Sequence, residues 1–165
     1  MLKIITSFKE LNTRQLLNVY EESISQDAER KSKEFPVGLR ITEAEQDFLD
    51  YMRCFFAIDD AFLALWELDG VYMAALRVEP YLDGYLVSGL ETMPDCRRRG
   101  YAKKLLQKAS AHLKQLGSIK IYSHIDKQNI ASLNLHLACG FTVISDHAVF
   151  LDGSVFSNHY TLCLM

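Results

Sequence analysis

The sequence predicts a mixed α/β domain of the α+β type, a mostly antiparallel sheet of about seven strands flanked by about four helices. Three observations carry this. Apolar residues recur at helical spacing in four stretches, and short apolar or alternating runs lie between them. The residues dividing the central runs, Asp69-Gly70 and Pro80 to Gly84, suit tight reversals. At 165 residues, 49% hydrophobic and 24% charged, the chain is long enough for one core and too apolar for disorder.

Residues 2–5 form an apolar opening strand, and residues 13–24 a helix on the spacing of Leu16, Leu17 and Tyr20. Residues 25–40 are polar, hold Pro36 and Gly38, and show no period, so they read as a long surface loop. Thr42, with Glu45 three positions on, makes a capping box for a second helix through Phe48, Tyr51, Met52 and Phe55. Residues 62–68, 71–78 and 85–93 form an antiparallel meander that Pro94 and Asp95 terminate. Ala102, Leu105, Leu106, Ala109, Leu113 and Leu116 then trace a helix that stops at Gly117. A strand at 119–125, a short helix at 129–139 closed by Gly140, and a hairpin of 141–150 with 155–163 across Asp152-Gly153 complete the chain. One domain over residues 1–165 is the expected organisation.

Composition narrows the function. With 18 basic and 21 acidic residues the net charge is −3, so nothing global draws the chain to nucleic acid or to an anionic membrane, and any basic site is local. The longest apolar neighbourhood, residues 61–78, is broken by Glu67, Asp69 and Gly70, too soon for a membrane span. The opening MLKIITSFKE lacks the pattern of a secretory signal, and the expected location is cytoplasmic. Cys54, Cys96, Cys139 and Cys163 are scattered and the five histidines dispersed, so packing thiols and no metal are expected.

The local basic site is the segment ETMPDCRRRGYAKK, where Arg97, Arg98, Arg99, Lys103 and Lys104 cluster at a junction of strand and helix. Unpaired backbone N–H groups and the positive helix end meet these cations there, and Gly100 lets a ligand approach the backbone. That chemistry suits a phosphate, preferably two. A solvated basic helix start is the alternative reading. No G-x-G-x-x-G follows a strand and no G-x-x-x-x-G-K-S/T occurs, so dinucleotide and ATP loops are excluded. The run from Arg97 through Arg98, Arg99, Gly100 and Tyr101 to Ala102 resembles the Q/R-x-x-G-x-G/A pyrophosphate loop of the GNAT superfamily of acyl-coenzyme A dependent N-acyltransferases. Downstream, NIASLNLHLACGF from Asn129 to Phe141 is similar to that superfamily's N-x-A-S-x-x-L-Y-x-x-x-G-F block. Asn129, Ser132 and His136 would form one polar stripe on that helix, beside Leu133 and Leu137. A capping Asn129, an incidental Ser132 and a core His136 are the bland alternative.

The resemblance covers residues 60–165 and implies an acetyl-coenzyme A dependent N-acetyltransferase. Residues 61–165 would form the cofactor core and C-terminal hairpin, and residues 1–60 the acceptor side. Backbone amides from Arg98 to Lys103 would hold the pyrophosphate, with Arg97 at the motif's first position. Leu90 and Thr92 would bond the pantetheine arm through their backbones, Asn129 would meet its amide, and the thioester would lie between two splayed strands. Direct attack by a primary amine, on a small molecule or a peptide, is the implied reaction. His136 stands where the block usually has Tyr, and is a candidate acid; the alternative is that water returns the proton. Glu91 and His124 are candidate bases. The glutamate that serves some relatives as base would fall near Leu86, which cannot accept a proton. A non-catalytic acyl-coenzyme A binding module is the first rival reading, and a phosphate or nucleic-acid binding domain a remoter one. The C-terminal hairpin or a meander edge offers a surface for a homodimer.

Overall fold

The computed structural model describes every residue except Ser32 and Ile119. The chain runs β1 (Leu2–Ile5), α1 (Thr13–Val19), α2 (Glu21–Arg30), α3 (Val37–Phe55), β2 (Phe62–Leu68), β3 (Val71–Tyr81), β4 (Gly84–Thr92), α4 (Tyr101–Gln115), β5 (Ile121–Asp126), α5 (Ile130–Ala138), β6 (Thr142–Ser145), β7 (Ala148–Val149), β8 (Val155–Phe156) and β9 (His159–Leu164). Seven strands form one sheet in the order β1-β2-β3-β4-β5-β9-β6, and β7 and β8 make a small separate hairpin. Every pairing in the large sheet is antiparallel except β4 with β5. This is the mixed, mostly antiparallel sheet of seven strands that the sequence predicts.

Alternation along the strands sorts side chains between two cores. On one face Leu63, Leu65 and Ala75 meet Leu16, Val19, Tyr20, Ile24, Met52 and Phe55 from α1, α2 and α3 and their junctions. On the other, Ala64, Leu76, Val78 and Val87 meet Leu105, Leu106, Ala109 and Leu113 of α4. The three fully buried leucines of α4 each contribute about 1.5–3 kcal/mol of apolar burial. No helix among the described residues is long and apolar enough to cross a membrane.

The front of the chain corrects four expectations. The predicted helix over residues 13–24 is broken at Tyr20, which closes α1 and opens α2, and α2 continues to Arg30. Residues 25–40 are therefore mostly helical rather than a loop; Ser32 lies outside the described residues. Only Ile24 and Ala28 of α2 are buried, so its apolar stripe is too thin to register as a period. Helix α3 begins at Val37 behind Pro36, and Thr42 sits inside it, its hydroxyl donating to the carbonyl of Gly38 at 3.0 Å rather than capping. Five α-helices result among the described residues, where about four were expected.

The back half follows the prediction closely. Strand β5 starts at Ile121, with Ile119 of the predicted 119–125 outside the described residues. The stretches 141–150 and 155–163 each break in two: β6 pairs with β9, and β7 turns through Asp152-Gly153 onto β8. Gly84 fixes the junction of β4 and β5, since a Cβ there would stand 2.0 Å from the carbonyl oxygen of Lys120.

Candidate functional site

Strands β4 and β5 pair at Tyr85 with Ile121 and at Leu86 with Tyr122, and no further among the described residues. Beyond these two rungs they part, which leaves unpaired backbone on both edges. Strand β4 also carries one extra residue against β3, between Ser88 and Glu91, with Gly89 at φ 57°. A bulge of this kind turns backbone groups out of the ladder toward the opening. The Tyr20 hydroxyl holds it by donating to the Gly89 carbonyl at 2.5 Å.

At the end of β4 the chain makes a single 3-10 turn, Pro94–Cys96, and enters α4. Arg98 and Gly100 both adopt left-handed conformations, at φ 59° and 79°. A left-handed residue beside one of negative φ, as at Arg98–Arg99 and Arg99–Gly100, turns successive N–H groups to one side, a concave anion nest, and here the nest runs into a helix start with no side-chain cap. Among the described residues no protein group accepts from the backbone N–H groups of Arg98, Arg99, Gly100, Tyr101, Ala102 or Lys103. Nothing lies within 4 Å of the position a Gly100 Cβ would take, so space for a ligand is open there.

The end of β4 and the entrance of α4 help to line one groove of about 650 Å³. Leu90, Glu91 and Thr92 supply its floor, and Arg97, Arg98, Gly100, Tyr101, Ala102 and Lys103 one end. Asn129, Ala131, Ser132 and Leu135 form one wall; the opposite wall is Glu22, Ser23 and Gln26 of α2. Arg99 is exposed and does not line it. The sequence places Glu22 and Ser23 in one unbroken helix over residues 13–24 and Gln26 in a loop, and without the break at Tyr20 nothing turns these side chains toward the groove. The four-residue spacing of Ile24 and Ala28, behind acidic Glu21 and Glu22, was the signal available. Glu22 forms an ion pair with Arg97, tying α2 to the basic loop. Ser23 donates to Glu91. Burial pushes the Glu91 carboxyl above its usual range, against the opposing pull of the Ser23 hydrogen bond and the Arg97 charge.

Residues 21–141 match the sequence model of the Acetyltransferase (GNAT) family. The chain belongs to the GNAT acetyltransferase family. No curated protein sequence matches it significantly. Among solved structures it is similar to the PaiA N-acetyltransferase of Thermoplasma acidophilum in complex with coenzyme A, at 16% identity and TM-score 0.69 over 99% of this chain and 98% of that one. It is also similar to the ribosomal-protein-S18-alanine N-acetyltransferase of Escherichia coli, at 19% identity and TM-score 0.62 over 99% and 93%. YncA of Salmonella typhimurium, a putative acetyltransferase solved with acetyl-CoA, matches at 16% identity and TM-score 0.63 over 100% and 94%. At these identities the likeness is one of fold.

In this GNAT enzyme the polar stripe of α5 divides. Asn129 caps the helix, its Oδ1 accepting from the Ser132 amide at 3.1 Å, and both residues line the groove. His136 points into the core and is 2% exposed. Its Nδ1 donates to the Ser132 carbonyl at 2.8 Å, which leaves Nε2 to accept from the Ser123 hydroxyl at 3.2 Å. Burial lowers its pKa, so the ring is neutral at pH 7 with both nitrogens engaged. His124 lies on the opposite face of β5, its ring packed on Tyr81 and Phe150 at 5.3 and 4.9 Å. The Thr161 hydroxyl donates to the His147 carbonyl at 2.7 Å and so accepts from His124 Nδ1 at 3.2 Å. The structure therefore brings Glu91 into the groove and leaves both histidines out of its lining. Among the described residues no group of three or more His, Cys, Asp or Glu could hold a metal ion.

Proposed function

We propose that this enzyme transfers an acetyl group from acetyl-coenzyme A to a primary amine by direct attack within a ternary complex. One observation carries the reading: a left-handed helix entrance with unpartnered amides and the end of a bulged strand that has parted from β5 line one groove. Free amides of this kind fit a diphosphate, and a fork beside a bulge fits an extended arm.

Acetyl-coenzyme A supplies an activated thioester. The backbone N–H groups of residues 98–103 would receive its phosphates, with the Arg98 and Lys103 side chains adding charge. Leu90 and Thr92 would hold the arm through their backbones, and Asn129, whose Oδ1 is committed to its cap, would offer its amide nitrogen. A backbone N–H on the bulged segment of β4 would face the developing oxyanion, where a fixed donor needs little reorganisation. Glu91 would take the amine's proton, directly or through one water; as an ionised base with a raised pKa it accepts more readily than an ordinary carboxylate. With His136 neutral and engaged on both sides, water would return a proton to the thiolate.

The test combines thermal stabilisation by acetyl-coenzyme A with amine-dependent release of free thiol, read separately across a panel of primary amines. Stabilisation together with release is expected. Stabilisation without release for any amine would contradict transfer, and the absence of both would contradict the groove's assignment.

A further inference from the structure

A second groove, of about 520 Å³, is lined by residues of α2, α3 and β3. Its charged lining is Asp27, Arg30, Lys31, Asp47 and Arg77. Four of these are already paired: Arg30 with Asp27 at 3.1 Å, and Lys31 with Asp47 at 2.5 Å, Glu43 adding a contact to Lys31 at 3.5 Å. Arg77 is the exception. Among the described residues its guanidinium has no hydrogen-bond acceptor and no ion pair, and its Nε is buried with nothing to receive its proton. A buried guanidinium donor without an acceptor is costly, so it needs a compensating role.

The guanidinium is held in a defined pose. It stacks on the Tyr51 ring, 4.8 Å from the centroid, and lies against the β4 bulge, where a Cβ on Gly89 would stand 2.7 Å from its Nη2. Glycine at 89 is what permits this approach. Glu79 and Glu91 share the sheet face and feel its charge, but neither comes within ion-pair distance. Burial keeps the Tyr20 phenol neutral and its proton goes to Gly89, so it does not serve as counter-ion either. Among the described residues the one uncommitted charge in this groove is thus a planar cation of β3 that lies against Gly89, whose next residue along β4, Leu90, lines the first groove.

We infer that Arg77 receives a carboxylate carried by the acceptor, so that the amine acetylated here belongs to a molecule that also bears an acid group. The inference deepens the acetyl-transfer reading and rests on it. A rigid guanidinium fork matches a planar carboxylate with two parallel hydrogen bonds. A phosphate dianion would meet a single positive charge beside two aspartates, and is disfavoured.

The test is calorimetric titration of the full chain, with and without saturating coenzyme A. The ligands are N-acetylglycine, N-acetyl-β-alanine and N-acetyl-γ-aminobutyrate, each against its uncharged amide. At least one acid binds about tenfold or more tightly than its amide, the size expected for charge-assisted hydrogen bonds. Arg77→Met abolishes that preference, and Arg77→Lys, which keeps the charge but not the fork, retains part of it. Wild-type protein that prefers no acid in the series overturns the inference without any variant, as does a preference that survives Arg77→Met. Amine-dependent thiol release without acid preference removes only the role of Arg77. Acid preference in a chain that releases no thiol removes only the transfer reading.

Discussion

The groove at the start of α4 has the end of β4 on its floor, and the groove beneath α3 holds Arg77 against the β4 bulge, yet the two are built from different materials. The phosphate end of the first is built from backbone: free amides, two left-handed residues and the bulged strand before them, all within residues 88–103. The second is lined by side chains that α2, α3 and β3 bring together across some fifty positions. A backbone site is a local conformation, and local conformation leaves marks such as Gly100 and the arginine run. A side-chain site is a consequence of packing and leaves none.

Glu91→Gln tests this contrast most strongly, because Glu91 sits on the backbone-built floor but works through its side chain. Turnover is expected to fall about 10²–10⁴-fold, as for loss of a general base, with acetyl-coenzyme A affinity nearly unchanged. Burial raises the Glu91 pKa above its usual 4.5, and the base acts ionised, so activity in the parent enzyme rises as pH rises through that elevated value. The limb disappears in Glu91→Gln. His124→Ala should not reproduce this loss; if it does and Glu91→Gln does not, the base has been misplaced.

His136→Ala sharpens the comparison from the core. Removing a buried ring and leaving the Ser123 hydroxyl without its partner should cost about 2–4 kcal/mol in urea unfolding, with coenzyme A still bound by the folded fraction. The pH dependence has a definite sign. Folding lowers the His136 pKa below 6.5, so its contribution is complete above 6.5 and is lost as pH falls toward the depressed value. A turnover loss with unchanged stability would instead make His136 the acid. The smallest effect belongs to Gly100→Ala. A side chain in the left-handed region costs about 1–2 kcal/mol, and here it also projects toward the ligand, so coenzyme A affinity falls along with stability.

What was legible in the sequence follows the same division. The meander, the α4 helix and the block from Asn129 to Phe141 were placed within a few residues, because their apolar periods are strong and glycines or prolines end them. The sequence marks Arg97, Arg98, Gly100, Asn129 and Ser132 as candidate cofactor residues, and these five line one groove. The break at Tyr20 was not legible, since neither Gly nor Pro marks it and the helix resumes in the next residue. Ser23 was hidden for the same reason, and with it the partner of Glu91. Thr42 and Glu45 have the spacing of a capping box but lie inside α3, whose start is set by Pro36. The free guanidinium of Arg77 depends on which neighbours are already paired, a matter of tertiary placement.

The central claim is that residues 98–103 receive a diphosphate through their backbone N–H groups. Titrating isotope-labelled protein with coenzyme A while following backbone amide resonances tests it directly. The account predicts that the largest changes fall at Arg98 through Lys103, with a second set at Leu90 and Thr92. Tight coenzyme A binding that leaves the amides of residues 98–103 unmoved would contradict it.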